Sequence, residues 1–396
     1  MQSKGNFIPT KLSLLTILLA SMLMLMGGAA VAPALPQIAV AFPQCSTFTV
    51  ELIVTLPSLA IALTGILIGL LADRIGKVKV LVASLLLFGL AGLSGYFLND
   101  ITLILVGRLF TGVGIAGITC CCTALLTVYY SGETRVRVLG YQTATMGIGV
   151  LFLETCGGAF AGYGWHEPFL IYGIGFIIFA MALVSLREPA KQTETATAAP
   201  TERQNDRGII ALSYVTTFCL MMIMFLYPTK LAEFMSTYIT AEPLITGFLL
   251  GLNGVFNAAF CLMYKHISKH LDPFAVVVIG LGLMGCGDLL FYFPPSVPWI
   301  AVCTCITGSG VGLGTTAVVN ILSRHTSPRS SGKVMGGYTT FFNLGQFTAT
   351  FLVAALVGLM SLQDAFVTFG VLALAMCAAF AAVRYRALQR TAPAAA

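Results

Sequence analysis

The chain has 396 residues, of which 58% are hydrophobic and 9% charged; an ordinary soluble domain carries about a quarter charged residues. So little polar material cannot cover a soluble globule, which excludes a soluble enzyme, a nucleic-acid-binding domain and a secreted disulfide scaffold. The net charge of +6 finds its explanation in where the basic residues fall.

Twelve apolar segments follow one another, at about 12–32, 50–72, 78–98, 101–128, 138–161, 169–186, 208–231, 245–264, 274–293, 299–322, 334–360 and 366–383. Most reach the ~20 residues a helix needs to cross ~30 Å of hydrocarbon. Membrane strands need only about ten residues and alternate in polarity, which these segments do not. The pattern predicts an all-α membrane protein with twelve transmembrane helices. The first segment is too long for the core of a signal peptide and lacks a small-residue cleavage site, so it counts as a helix.

Numbering the connections from an inner N-terminus separates the charges. Lys and Arg fall at the N-terminus, in the even-numbered connections and at the C-terminus, with only Arg108 and Lys230 excepted. The opposite loops hold Asp100, Glu167, Glu233, Glu242 and Asp364 and no basic residue. The positive-inside rule then predicts cytoplasmic termini and a multi-pass protein of the cytoplasmic membrane. A wrong span count would have scattered this separation.

The longest polar stretch, 187–207, is rich in Thr, Ala and charge, as a flexible linker is. It divides the chain into an N-terminal six-helix bundle at 1–186 and a C-terminal one at 208–396. Six plus six suggests two pseudo-symmetric bundles with a substrate path between them near the bilayer midplane. The 41 glycines, many within spans, suit close helix packing in lipid.

After the second segment the chain reads Gly69-Leu70-Leu71-Ala72-Asp73-Arg74-Ile75-Gly76-Lys77-Val78-Lys79. This resembles the signature loop of the major facilitator superfamily, in the same place along the chain. Arg108 followed by Gly112 and Gly114 resembles the family's R-x-x-x-G-x-G, and Gly164-Trp165-His166-Glu167-Pro168-Phe169 its G-W-R-x-x-F. The resemblance implies the major facilitator fold and alternating access. It also implies a latch role for Gly69, Asp73, Arg74, Gly76 and Lys77, which in the family hold the halves in the outward-open state. A carboxylate at Asp73 would then meet the positive N-terminus of span eleven, an interaction worth about 0.3–1 kcal/mol.

Charged side chains inside a membrane are costly and point to function. Arg108 and Glu154 lie at matched depth in spans four and five, and the depth match predicts an interaction, direct or through water. A carboxyl alone in the interior holds a proton, and one set against a guanidinium gives it up; making and breaking such a pair would couple protons to transport. A permanent structural pair is the alternative. Asp288 is either a second proton site or a capped structural residue. Glu154 also departs from the family's antiporter motif, since Leu153-Glu154 stands where that motif has Gly-Pro, with Gly149, Gly157 and Gly158 kept. Lys230 and Glu233, three residues apart, can pair on one helix face, and they and Glu51 read as interfacial or as guards of the outer mouth.

Asn253, Asn257, Asn343 and Gln346 are candidate polar walls of a cavity, as are Gln142 and Asn320. Aromatics such as Phe218, Phe225, Tyr227, Phe256, Tyr338 and Phe342 are candidate apolar ones. Three consecutive thiols, Cys120 to Cys122, point about 100° apart on a helix and cannot converge on one ion. No metal, cofactor, ATP-binding loop or nucleophile–base set is expected, and so no enzyme. The expectation is a monomeric secondary transporter with protons, a small molecule and the bilayer as its partners and no nucleic acid. Proton-coupled efflux of a small organic molecule comes first; uptake of a small anionic metabolite, with Arg108 as counter-charge, comes second.

Overall fold

A computed structural model describes residues 9–189, 206–327 and 330–391. Among these, twelve helices are long and apolar enough to cross a bilayer, and no strand is present. In chain order spans 1 to 12 are Lys11–Ala41, Thr47–Ile75, Lys77–Phe97, Ile101–Tyr129, Gly132–Ala161, Glu167–Ser185, Arg207–Tyr238, Pro243–Ile267, Pro273–Tyr292, Val297–Arg324, Gly332–Val357 and Leu362–Ala382. Each apolar segment of the sequence falls on one of them. Most of the predicted linker, together with Lys4, Lys191, Arg203 and Arg329 of the predicted basic face, lies outside the described residues.

Polar residues start several helices where an apolar run begins. Ser46, Asp100, Asp206 and Ser296 each accept hydrogen bonds from backbone N–H groups of the first turn of spans 2, 4, 7 and 10, donors that the helix itself leaves unpaired.

Span 1 runs past its predicted end at Ala32 because it is not one helix. A regular helix to Met22 gives way to the 3-10 turn Leu23–Leu25, the short helix Met26–Ala29, the 3-10 turn Ala32–Ala34 and the helix Leu35–Ala41. Pro33 and Pro36 sit in the first turns of the last two pieces, where the missing proline N–H would have had no helical partner. Span 7 breaks likewise at Phe225, between Arg207–Met224 and Leu226–Tyr238.

The packing repeats with an offset of six. Span 1 lies against 5, span 2 against 4, and span 3 against 4 and 6; span 7 lies against 11, span 8 against 10, and span 9 against 10 and 12. Two six-helix bundles of one design result. They meet through spans 5 and 8 and through spans 2 and 11, pairs that the same offset exchanges. At the first of these contacts glycine is required by space. A Cβ on Gly158 would stand 2.3 Å from the Pro243 carbonyl oxygen, and one on Gly247 2.2 Å from that of Glu154. Gly157 makes the same close approach to Ala30 of span 1.

The helix directions give the molecule a basic end, with Lys11, Arg74, Lys77, Lys79, Arg135, Arg137, Lys265, Lys269 and Arg324, and an acidic end, with Asp100, Glu167, Glu242 and Asp364.

Candidate substrate site between the two bundles

A cavity of about 340 Å³ lies where the bundles meet, within the range of small-molecule sites. Both broken spans line it. Met24, Leu25, Gly27, Gly28 and Ala29 come from span 1, and Met221, Met224, Phe225, Tyr227 and Pro228 from span 7. Discontinuous helices at equivalent places in two halves are a recurrent way of building a midplane binding site. Met146, Val150, Leu250, Val311, Tyr338 and Phe342 extend the apolar wall. Four methionines give it a soft, adaptable surface.

All four polar wall candidates, Asn253, Asn257, Asn343 and Gln346, line the cavity. Each is anchored. The Asn253 amide donates to the Thr304 carbonyl at 3.0 Å, and that of Asn343 to Thr339 at 2.8 Å. Gln346 accepts from Ser58 at 2.7 Å, and Asn257 accepts a weak bond from Cys261. Gln142 and Asn320 instead tie helices together, through Ser21 and Thr123 and through Tyr264. Of the aromatic candidates Phe225, Tyr227, Tyr338 and Phe342 reach the wall, and Phe218 and Phe256 do not.

Glu154 is the one charged side chain on the cavity wall among the described residues. It is 6% exposed, and its carboxylate forms no ion pair or hydrogen bond there.

Among the described residues no ion pair or hydrogen bond joins Glu154 directly to Arg108, and Arg108 does not line the cavity. The reason lies in span 2. Pro57 has no N–H, so the carbonyl of Ile53, four residues back, has no partner in its own helix. The Arg108 Nε donates to that oxygen at 2.8 Å. Its guanidinium lies 4.8 Å from the centre of the Tyr172 ring, a cation–π contact. The Tyr172 hydroxyl in turn donates to the Met26 and Gly27 carbonyls at the break in span 1. Arg108, 1% exposed, thus faces spans 2 and 6 and holds the bundle around a proline gap.

Asp288 is fully buried. It accepts from the Tyr227 hydroxyl at 2.8 Å and from Thr307 at 3.4 Å, and its second oxygen is unbonded. It does not line the cavity, but Tyr227 does, so the phenol stands between the carboxyl and the cavity.

Toward the acidic end the bundles are sealed by contacts along one face of span 2. Ser58 bonds Gln346, Thr350 donates to Thr55 at 2.8 Å, and Glu51 pairs with Lys230 at 2.7 Å. The rings of Phe48 and Phe351 meet edge to face. Lys230 also holds Glu233 at 2.6 Å, the pair expected from their spacing. The Glu51–Lys230 bond was not legible in the sequence, where nothing says that spans 2 and 7 turn these residues toward each other.

At the basic end the signature loop makes no such bond. Asp73, with its side chain 69% exposed, pairs with Lys77 of its own loop at 3.0 Å. No hydrogen bond or ion pair joins Asp73 or Arg74 to span 11 among the described residues. The Glu188 carboxylate accepts from the backbone N–H groups of Lys77 and Val78 at 2.6 and 2.9 Å. It caps span 3 and occupies the space a Cβ on Gly76 would need. Gly76 also has φ +115°, which only glycine adopts freely. Gly69 faces Cys120 of span 4.

Two bundles of one design around a central cavity, sealed toward the acidic end, define a membrane transporter of the alternating-access kind. The family model of the Major Facilitator Superfamily matches residues 17–273 and 212–396. The chain belongs to that superfamily and is a secondary transporter. It is 22% identical over 344 residues to the class H tetracycline resistance protein of Pasteurella multocida, covering 84% of this chain and 86% of that one. It is 21% identical over 294 residues to the quinolone resistance protein NorA of Staphylococcus aureus, covering 73% and 75%. A crystal structure of a bacterial homologue of the human lysosomal transporter Spinster, inward-facing and occupied, superposes with a TM-score of 0.77 at 16% identity, over 98% of this chain and 100% of that one.

Proposed function

We propose that this transporter exports small amphipathic organic cations or weak bases in exchange for protons. It works as a monomer in the cytoplasmic membrane, with its basic end and both termini in the cytoplasm. The observation that carries this reading is Glu154, the one charge on a cavity wall otherwise made of methionines, aromatics and amides. A buried carboxylate without a partner needs a positive charge or a proton. It can hold one or the other, which is the logic of exchange. Similarity to proteins named for tetracycline and quinolone resistance supports export of drug-like molecules. Asp288, behind Tyr227, is the second candidate proton group. Asn253, Asn257, Asn343 and Gln346 are assigned to the polar contacts of the substrate.

Uptake of a small anion on Arg108 has no comparable support, because the guanidinium faces the Ile53 carbonyl and the Tyr172 ring instead of the cavity.

The test is thermal unfolding of the purified protein with tetraphenylphosphonium and with benzoate at pH 6 and pH 8. A ligand at 100 times its Kd stabilises by about 2.7 kcal/mol. The cation should stabilise more at pH 8 than at pH 6, because it competes with protons for one carboxyl, and Glu154→Gln should remove that pH difference. Stabilisation by benzoate alone, lost in Arg108→Gln, would reverse the assignment.

A further inference from the structure

We propose that Glu51, Lys230 and Glu233 form the outer gate of the transporter, a three-charge lock in which one ammonium is shared between carboxylates of opposite halves. The proposal rests on the orientation given above, with the acidic end outside. Glu51 stands in the first turns of span 2, in the N-terminal bundle, and Lys230 in the acidic-end half of span 7, in the C-terminal bundle. Their side chains are 3% and 2% exposed, and Nζ lies 2.7 Å from Oε1. The second Glu51 oxygen is buried without a hydrogen-bond partner, so Lys230 is its one counter-charge.

The lock is the charged layer of a longer seal. Residues 48, 51, 55 and 58 recur at three- and four-residue intervals and lie on one face of span 2. Each touches the opposite bundle, through Phe351, Lys230, Thr350 and Gln346. The innermost pair, Ser58 with Gln346, lines the cavity. Opening the outer side must break all four contacts.

The three contacts other than the ion pair are neutral and leave no charge behind when they part. The ion pair differs. A buried charge that loses its partner is strongly unfavourable unless water reaches it. The lock therefore has two stable settings. Closed, it has Lys230 and Glu51 buried against each other, with Glu233 reaching the same ammonium from its exposed side. Open, it is wet, with Lys230 kept by Glu233 on its own helix and Glu51 hydrated. Glu233 plays an opposite part to Glu51: 39% exposed and bonded to the same Nζ at 2.6 Å, it competes for the ammonium and lowers the cost of opening. A half-open gate, with one bare charge and no water, is excluded by the same desolvation penalty.

Amide hydrogen exchange of the full chain in lipid nanodiscs, without substrate, tests this separately from the export reading. Glu51→Gln should lower protection of 47–58 and 226–238 by roughly tenfold or more, with the basic-end turns of spans 5, 8 and 10 gaining protection. Glu233→Gln should leave acidic-end protection equal or higher. The exchange Glu51→Lys with Lys230→Glu places an ammonium on span 2 against two carboxylates on span 7, and should restore protection there. Unchanged protection in Glu51→Gln overturns the proposal. So does equal loss in Glu51→Gln and Glu233→Gln, or loss at both ends together, which would mark a packing role. A chain that passes this test but ignores organic cations would keep the gate and refute the cargo.

Discussion

Arg108 shows how far a single residue can be read from sequence. Its presence inside the membrane, and its depth, were legible from hydropathy; its partner was not. Depth on two helices fixes height but not rotation about each axis, so matching Arg108 to Glu154 left direction undetermined. The telling residue was Pro57, which strands the Ile53 carbonyl that Arg108 bonds. Arg108→Met should therefore cost about 1–3 kcal/mol, the desolvation cost of an orphaned acceptor. In a Pro57→Ala background the new N–H reaches that carbonyl within the helix, and the same substitution should cost less. Thermal unfolding of the four proteins in a double-mutant cycle measures the difference, and additive effects would show that the proline gap is not what Arg108 fills. Tyr227→Phe makes a parallel case: it removes the 2.8 Å donor to Asp288, so transport should lose rate through a buried carboxyl left with Thr307 alone. A direct assay of counterflow against the wild type reads this out.

At the scale of the element, the number and order of the helices were legible because lipid demands about twenty apolar residues for each crossing and charge marks each turn. The breaks in spans 1 and 7 escape such a reading, although Gly27, Gly28, Pro33, Pro36 and Pro228 are their visible signs. Hydropathy is blind to a helix that breaks but stays apolar. The kept glycines of span 5 point the other way. They belong to a sequence motif, and their place in the fold explains them, since Gly157 admits span 1 and Gly158 admits span 8. Glu154, where the motif has proline, lies one turn before these glycines, and its carbonyl lies where Gly247 leaves room. Gly247→Val should wedge spans 5 and 8 apart. Overpacking of a tight contact costs about 1–3 kcal/mol, and the arrangement in which the two spans touch bears that cost. Cross-linking between cysteines placed at 151 and 251, which face each other across the contact, should fall in the valine variant while the protein stays helical. Unchanged cross-linking would mean that the contact is not needed for closure.

For the whole molecule, the latch that the resemblance implies for the signature loop and the gate proposed at the acidic end would be opposite terms of one equilibrium. In this arrangement the seal is made, and Asp73 is solvent-exposed and, among the described residues, pairs with Lys77. The resemblance assigns Asp73 to the other arrangement, where it would face the N-terminus of span 11. A group that is engaged in one state and merely solvated in the other can stabilise only the first. Surface pairs such as Asp73–Lys77 contribute about 0–1 kcal/mol, whereas a carboxylate at a partly buried helix N-terminus contributes up to ~2 kcal/mol. Asp73→Asn should thus leave the fold and the cavity seen here unchanged and raise the free energy of the opposite arrangement. A shift of about 1.4 kcal/mol is tenfold in population, so turnover should fall by about that factor. Affinity for a ligand added from the basic end should hold or rise slightly, since less of the protein is lost to the other state. Reconstituted transport and equilibrium binding on the same preparation separate these outcomes. Equal loss of both would place Asp73 in the binding machinery, and loss of neither would remove it from the latch. The pair of variants Asp73→Asn and Glu51→Gln is expected to compensate, each weakening one side of the same balance, and turnover in the double variant should exceed that of Asp73→Asn alone.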